Sequence, residues 1–432
     1  VNNRDFLLGL LLIILVGTSL LLSNLTWWRL SYGTDAMEAG ITALKVVDLS
    51  NVVAPDRVVL HFGQNTHGFI NHSSPHYEKI WNYVRESLSD EWPAGAKEAG
   101  ISPEKFQLKR GLELFFATPL PVDFLTKVLN IKGDEQAIPQ DRLVDSIVIV
   151  EDDGLSVFLK EAGGRFFRLK NKPDSSDIRQ ILEDVSAENP PLFAYLPPAQ
   201  VNLKLEEGMY VPLPDTQNHL PVFTFKLEKR PGPNNIAKFF SDFSITRRIE
   251  EKDGAVIYTD GSRGLRIYPD GAVEYSRPVP RDQKHKLGFY EALNLAVDFV
   301  NAHGGWPRSG YLSGYKISGN QVPAYTFNFG VRVKGLPLVE QKDYLTVTVE
   351  GNQVSRYYRR LVREDRVLEE IQPISPIQAL DAAIVAGGQK EIKSLRLVYT
   401  SVGNTLIPVW TVDTKDRKIF IDARNGMVMN LN

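Results

Sequence analysis

No cysteine occurs among the 432 residues. That absence excludes disulfide staples and a thiol nucleophile, and it fits a chain that faces an oxidising exterior without relying on disulfides. Charge of one sign is not in excess either: 50 basic and 52 acidic residues leave a formal net charge of −2. Such a chain lacks the basic footprint that a phosphate backbone requires, so no nucleic-acid partner is expected. The sequence also has no G-x-S-x-G elbow, no H-E-x-x-H helix and no G-x-x-x-x-G-K-[ST] loop, which removes the commonest hydrolase, metalloprotease and nucleotide signatures. No catalytic residue, cofactor or metal site is predicted.

Long uncharged apolar runs are missing too, with one exception. Residues 6–28, FLLGLLLIILVGTSLLLSNLTWW, form 23 consecutive uncharged positions. At about 1.5 Å per residue they make a helix of roughly 35 Å, enough to cross a hydrocarbon core of about 30 Å. The run is too long for the apolar region of a secretory signal, no A-x-A-like site follows it, and Trp27 and Trp28 stand where an interfacial belt belongs. A retained transmembrane helix is therefore expected. A cytoplasmic tail over residues 1–5 and an extracytoplasmic bulk of the chain are expected; Arg4 before the span and Arg29 after it give a thin positive-inside bias. On the expected helix Gly9, Ile13 and Gly17 recur every four residues, with Thr18 and Ser19 beside them. Small residues on one face let a partner helix approach closely and hydrogen-bond, which makes these five a candidate partner-binding face.

The remainder is ordinary globular sequence, 43% hydrophobic and 24% charged over the whole chain, and its length predicts two to three domains at roughly 100–200 residues each. A mixed domain is expected over 31–190. Tyr77, Ile80, Trp81 and Val84 have helical spacing within 75–88. Residues 145–170 read as three strands turned at Asp153-Gly154 and Gly163-Gly164, since such dipeptides supply the positive φ of tight hairpins. A helix follows within 172–189, with Ser175 or Ser176 as N-cap. A central domain over 191–280 combines a helix predicted at 235–250 with a meander turned at Asp253-Gly254, Asp260-Gly261 and Asp270-Gly271. Residues 281–432 hold two helix-then-strands units, in which Ala292, Pro323 and Val354 correspond to Ala379, Pro408 and Val428. Together these signals predict an α+β fold: an N-terminal transmembrane helix, then a multi-domain extracytoplasmic region of helices packed on antiparallel β-meanders.

Three features invite chemistry and receive plainer readings. His61, His67, His72 and His76 lie close together, but Pro75 interrupts any helix through the last two and Gly63, Gly68 and Asn71 read as loop, so surface or loop histidines are expected rather than a metal site. The Asp260-Gly261-Ser262-Arg263-Gly264 loop leads into a strand, not a helix N-terminus, and reads as a hairpin rather than a phosphate cradle. Trp306, Tyr311 and Tyr325 would serve a module that binds peptidoglycan or a peptide, or a PepSY-like protease inhibitor, if exposed; core packing on a sheet is the better account of them.

The order of parts, together with ILVGTSLLLSNLTW in the span and FFSDFSITRRIEEKDGAVIYTDGSRGLRIY in the middle, resembles the YycH family. These are membrane-anchored extracytoplasmic regulators of the WalK (YycG) sensor histidine kinase of Gram-positive bacteria. The C-terminal helix and the PVW and PAY strands are similar to YycI and to PepSY-type modules. The resemblance implies a non-enzymatic regulator of a two-component system governing cell-wall metabolism, with the kinase and a YycI-like membrane protein as partners. It does not say whether the kinase is inhibited or activated.

Overall fold

The computed structural model describes residues 46–88, 97–99, 103–130, 142–151, 154–169, 176–187, 192–195, 204–205, 209–212, 219–279, 286–319, 322–340, 344–387 and 391–430. The apolar run 6–28, and with it Gly9, Ile13, Gly17, Thr18 and Ser19, lies outside them. No helix among the described residues is long and apolar enough to cross a membrane.

The body from Val46 onward is α+β and is organised by two large sheets. The first runs Tyr210–Pro212, Leu192–Tyr195, Thr66–Ile70, Arg57–Gly63, Arg110–Pro121, Leu143–Glu151, Leu155–Glu161, Phe166–Arg168, Lys97–Ala99, each strand antiparallel to its neighbour. The expected hairpins of 145–170 are present, and Gly154 (φ 110°) and Gly164 (φ 84°) take the left-handed backbone that their turns require. Helix Tyr77–Leu88 buries Tyr77, Ile80, Trp81, Val84 and Leu88, the stripe that its spacing predicts. Helix Ser176–Ser186 buries Ile178, Ile181, Leu182 and Val185 in the same core.

The second sheet begins at strand Arg247–Glu250 and continues through Val256–Thr259, Gly264–Ile267 and Val273–Ser276. These are the strands of the expected Asp-Gly meander, and Gly254, Gly261 and Gly271 all have positive φ. Val273–Ser276 then pairs with Gln353–Arg359, so the sheet crosses residue 280 without a break. Beyond lie Leu345–Glu350, Ala324–Val333, Leu336–Leu338, Glu391–Val402, Thr405–Thr414, Leu220–Leu227 and, at the far edge, Val362–Ile371. Most pairings are antiparallel; Leu336–Leu338 meets Glu391–Val402 in parallel.

The helix expected over 235–250 does not form as one element. It stops at Pro233–Ala237, a 3-10 turn follows at Phe243–Ile245, and Arg247–Glu250 is already a strand. The Asp242 side chain accepts hydrogen bonds from the Ser244 backbone N–H (2.9 Å) and Oγ (2.6 Å), a local turn that competes with helix continuation. By contrast the two C-terminal units match in order. Helix Phe289–Ala302 precedes Tyr311–Ser318, Ala324–Val333, Leu345–Glu350 and Gln353–Arg359, while helix Pro376–Gly387 precedes Glu391–Val402, Thr405–Thr414, Lys418–Asp422 and Val428–Met429. In each unit the four strands pair in sequence as a meander. The second helix starts with a capping box in which Gln378 N–H donates to Ser375 Oγ and Ser375 N–H donates to Gln378 Oε1.

Helix Phe289–Ala302 buries Phe289, Ala292, Leu293, Ala296, Val297 and Val300 in a core shared with the first sheet, where the Phe289 and Phe124 rings meet edge-on at 5.1 Å. The Asn301 side chain grips the backbone of Val47 with two bonds: Val47 N–H donates to Oδ1 (3.1 Å) and Nδ2 donates to the Val47 carbonyl (3.2 Å).

Candidate functional site

The buried polar groups gather in two places. The first lies on the first sheet, where a turn at Gly63-Gln64-Asn65 reverses the chain and sets His61 opposite His67. Both rings are fully buried, which corrects the expectation of surface or loop histidines: each sits in a strand of apolar residues, Val58 to Phe62 and Thr66 to Ile70. The turn uses φ of 52° at Gln64 and 60° at Asn65, the backbone of a tight hairpin.

The hydrogen bonds around these rings fix their protons. His67 Nε2 lies 3.1 Å from Asn65 Oδ1, an acceptor, so Nε2 carries the hydrogen and Nδ1 is left to accept. His61 Nδ1 is 2.9 Å from that Nδ1 and must donate to it. The His61 Nε2 lone pair then faces Glu113 Oε2 at 3.8 Å with no hydrogen-bond partner. Tyr210 OH is 2.8 Å from both Glu113 Oε2 and Gln107 Oε1. A phenol has one proton, so Tyr210 donates to one of these two oxygens at a time. Charge follows the same pattern. Burial, helped by the His67 ring, lowers His61 to about 3, and burial lowers His67 to about 4. Burial raises Glu113 against the pull of Lys160, Tyr210, Arg57 and Ser146. The cluster is a buried polar network, with both histidines neutral, that ties four strands together.

The second gathering joins distant parts of the chain. Asp56 is buried and receives Arg332 Nη2 at 3.1 Å and the guanidinium of Arg396. Arg332 belongs to the first C-terminal unit and Arg396 to the second. Burial alone would raise the Asp56 carboxyl, yet Arg396, Arg332 and Arg57 outweigh it and hold the pKa at about 2. The Arg332 guanidinium also lies 3.6 Å over the Tyr311 ring, a cation–π contact. Alongside, Tyr77 OH donates to the Pro55 carbonyl and the His72 ring lies 3.9 Å from the Tyr77 ring. His76 stands just before the helix that begins at Tyr77. The structure thus separates the four histidines into two strand positions and two flanking positions, and no group of three or more His, Asp or Glu among the described residues has the geometry to hold a metal ion.

Asp260 Oδ1 accepts from Ser262 N–H, Ser262 Oγ and Arg263 N–H, each within 2.9 Å, and strand Gly264–Ile267 follows, so the loop is a hairpin turn. Trp306, Tyr311 and Tyr325 are all buried, leaving no aromatic platform there for a glycan or peptide. The polar networks around Glu113 and Asp56 escaped the sequence because their partners are scattered; only the apolar runs flanking Gly63-Gln64-Asn65 signalled a buried hairpin.

Comparison with known proteins finds no matching family model and no matching curated protein. Among solved structures, YycH from Bacillus subtilis aligns with a TM-score of 0.60 at 15% identity, covering 88% of this chain and 98% of that one. An uncharacterized protein from Eubacterium rectale aligns with a TM-score of 0.37 at 13% identity, over 50% of this chain and 87% of that one. The chain has the fold of YycH from Bacillus subtilis.

Proposed function

We propose that this protein is a YycH-type, membrane-anchored extracytoplasmic regulator of a two-component sensor histidine kinase controlling cell-wall metabolism. The observation that carries the reading is the shared fold over nearly the whole of YycH, joined to the apolar span and the sequence resemblance in the span and in the 239–268 stretch. Its partners are a WalK-like kinase and a YycI-like membrane protein, met through the span and the exterior body, and it works by contact rather than by catalysis. A contact shifts a two-state kinase only by the difference in its free energy for the two states. The face bearing Gly9, Ile13, Gly17, Thr18 and Ser19 supplies such a contact, because close helix approach depends on small side chains.

The test replaces Gly9 and Gly17 together by Leu in the full chain expressed with its kinase in membranes. Co-purification of the kinase should fall and its signalling output should change. Unaltered co-purification with unaltered output would remove the span from the mechanism.

A further inference from the structure

Residues 209–212 belong to two cores at once. Strand Tyr210–Pro212 ends the first sheet, and the Tyr210 hydroxyl lies 2.8 Å from both Glu113 Oε2 and Gln107 Oε1. Its ring stands 5.2 Å from that of His67 and 6.1 Å from that of His61. The residues on either side of it, Met209 and Val211, are buried elsewhere, in the apolar core of the second C-terminal unit with Leu380, Ala383 and Ile392. Leu205 joins them there, carried by the two-residue strand Lys204–Leu205, which runs parallel to Glu391–Val402. Strand geometry explains the division, because successive side chains point to opposite faces.

The backbone holds these pieces lightly. Among the described residues, Lys204–Leu205 meets Glu391–Val402 at Glu391 and Ile392 alone. Tyr210–Pro212 pairs with Leu192–Tyr195, which in turn meets the rest of its sheet at His67 and Gly68 alone. Glu391–Val402 and Thr405–Thr414, by contrast, are paired nearly from end to end, from Ile392 with Thr414 to Val402 with Thr405. An element with a short ladder opens at a lower free energy than the long-laddered strands it leans on.

We propose that Leu192–Tyr195, Lys204–Leu205 and residues 209–212 form a two-sided clasp that opens as one unit, so that the seating of Tyr210 in the first sheet sets how firmly the core of the second C-terminal unit is closed. Lifting Tyr210 away from Glu113 and Gln107 draws Met209 and Val211 out of the other core, since one short strand carries all three side chains. The coupling is reciprocal: loosening Met209 unseats Tyr210 to the same degree. Opening uncovers helix Pro376–Gly387 at Leu380 and Ala383, which share the core with the clasp. The proposal does not rest on the kinase reading.

The test is amide hydrogen exchange on the full chain, purified in detergent. In the parent protein the amides of 192–195, 204–205 and 209–211 exchange faster than those of Thr405–Thr414, and low urea accelerates all three pieces with one common slope. Tyr210→Phe removes the hydroxyl and keeps the ring; it speeds exchange about tenfold at 192–195 and equally at 204–205, on the other side of the clasp. Met209→Ala trims the opposite side and speeds exchange at 192–195 as much as at 204–205. Thr405–Thr414 is unchanged in both variants. Acceleration confined to the side that was altered overturns the proposal. So does a parent protein in which the pieces exchange only together with Thr405–Thr414, or with separate urea slopes, and that measurement decides even where a variant fails to fold.

Discussion

In water a histidine gives up its proton near pH 6.5, but inside the first sheet His67 does so only near 4 and His61 near 3. Below pH 6.5 the unfolded chain takes up protons that the folded rings refuse. The stability these rings support is therefore whole above pH 6.5 and is lost as pH falls toward 4 and below. His67 alone is worth on the order of 3 kcal/mol by pH 4. Urea midpoints should drop steadily from pH 7 to pH 4, and His67→Gln should flatten that limb; a level profile in the parent protein would contradict neutral, buried histidines. Glu113 has the opposite sign. Its pKa is raised by burial, so its contribution is full below about 4.5, the usual carboxyl value, and fades as pH rises through the raised one. Glu113→Gln, which keeps an oxygen for Tyr210 and cannot ionise, should lessen the alkaline loss. None of this was legible from histidine spacing, because what decides a histidine's state is the apolar strand on either side of it.

Elements were legible where local chemistry is strong. The Asp-Gly turns marked the meander, and the spacing of Tyr77, Ile80, Trp81 and Val84 marked a helix, since turn residues and apolar periods act over a few positions. The helix expected over 235–250 failed for an equally local reason, the Asp242 turn onto Ser244. Strand Arg110–Pro121 gave little sign of its central place between Arg57–Gly63 and Leu143–Glu151, although Gly111 records it. A Cβ there would lie 2.2 Å from the Ile149 carbonyl oxygen and 2.9 Å from Val150 Cα, both fixed backbone. Gly111→Ala should cost on the order of 3 kcal/mol in denaturant titration, as overpacking against immovable atoms does. Full retention of stability would mean that the two strands can part at no cost.

At the scale of the molecule, the joints are made by residues far apart in sequence. Asp56 meets Arg332 across 276 positions and Arg396 across 340, and no local pattern announces such a pairing. The repeated order of the two C-terminal units was readable because each unit is built from its own hairpins; the point where they meet, Leu338 against Tyr399, was not. Asp56→Ala should destabilise by roughly 3–5 kcal/mol, since it leaves buried guanidinium charge uncompensated. The triple change Asp56→Leu, Arg332→Met, Arg396→Met should recover most of that loss in the same denaturation assay. Recovery by Arg396→Met alone would place the strain on that arm.

The two bonds between Asn301 and Val47 sit at the point where the chain enters the described body. An amide that pairs with a backbone amide in this way acts as a rivet. Nine residues further on, Asp56 makes the next fastening. The first residues of the body are thus fastened to helix Phe289–Ala302 at Val47 and to both C-terminal units at Asp56, so a change at Val47 or Asp56 reaches parts of the fold 254 to 340 positions away in sequence.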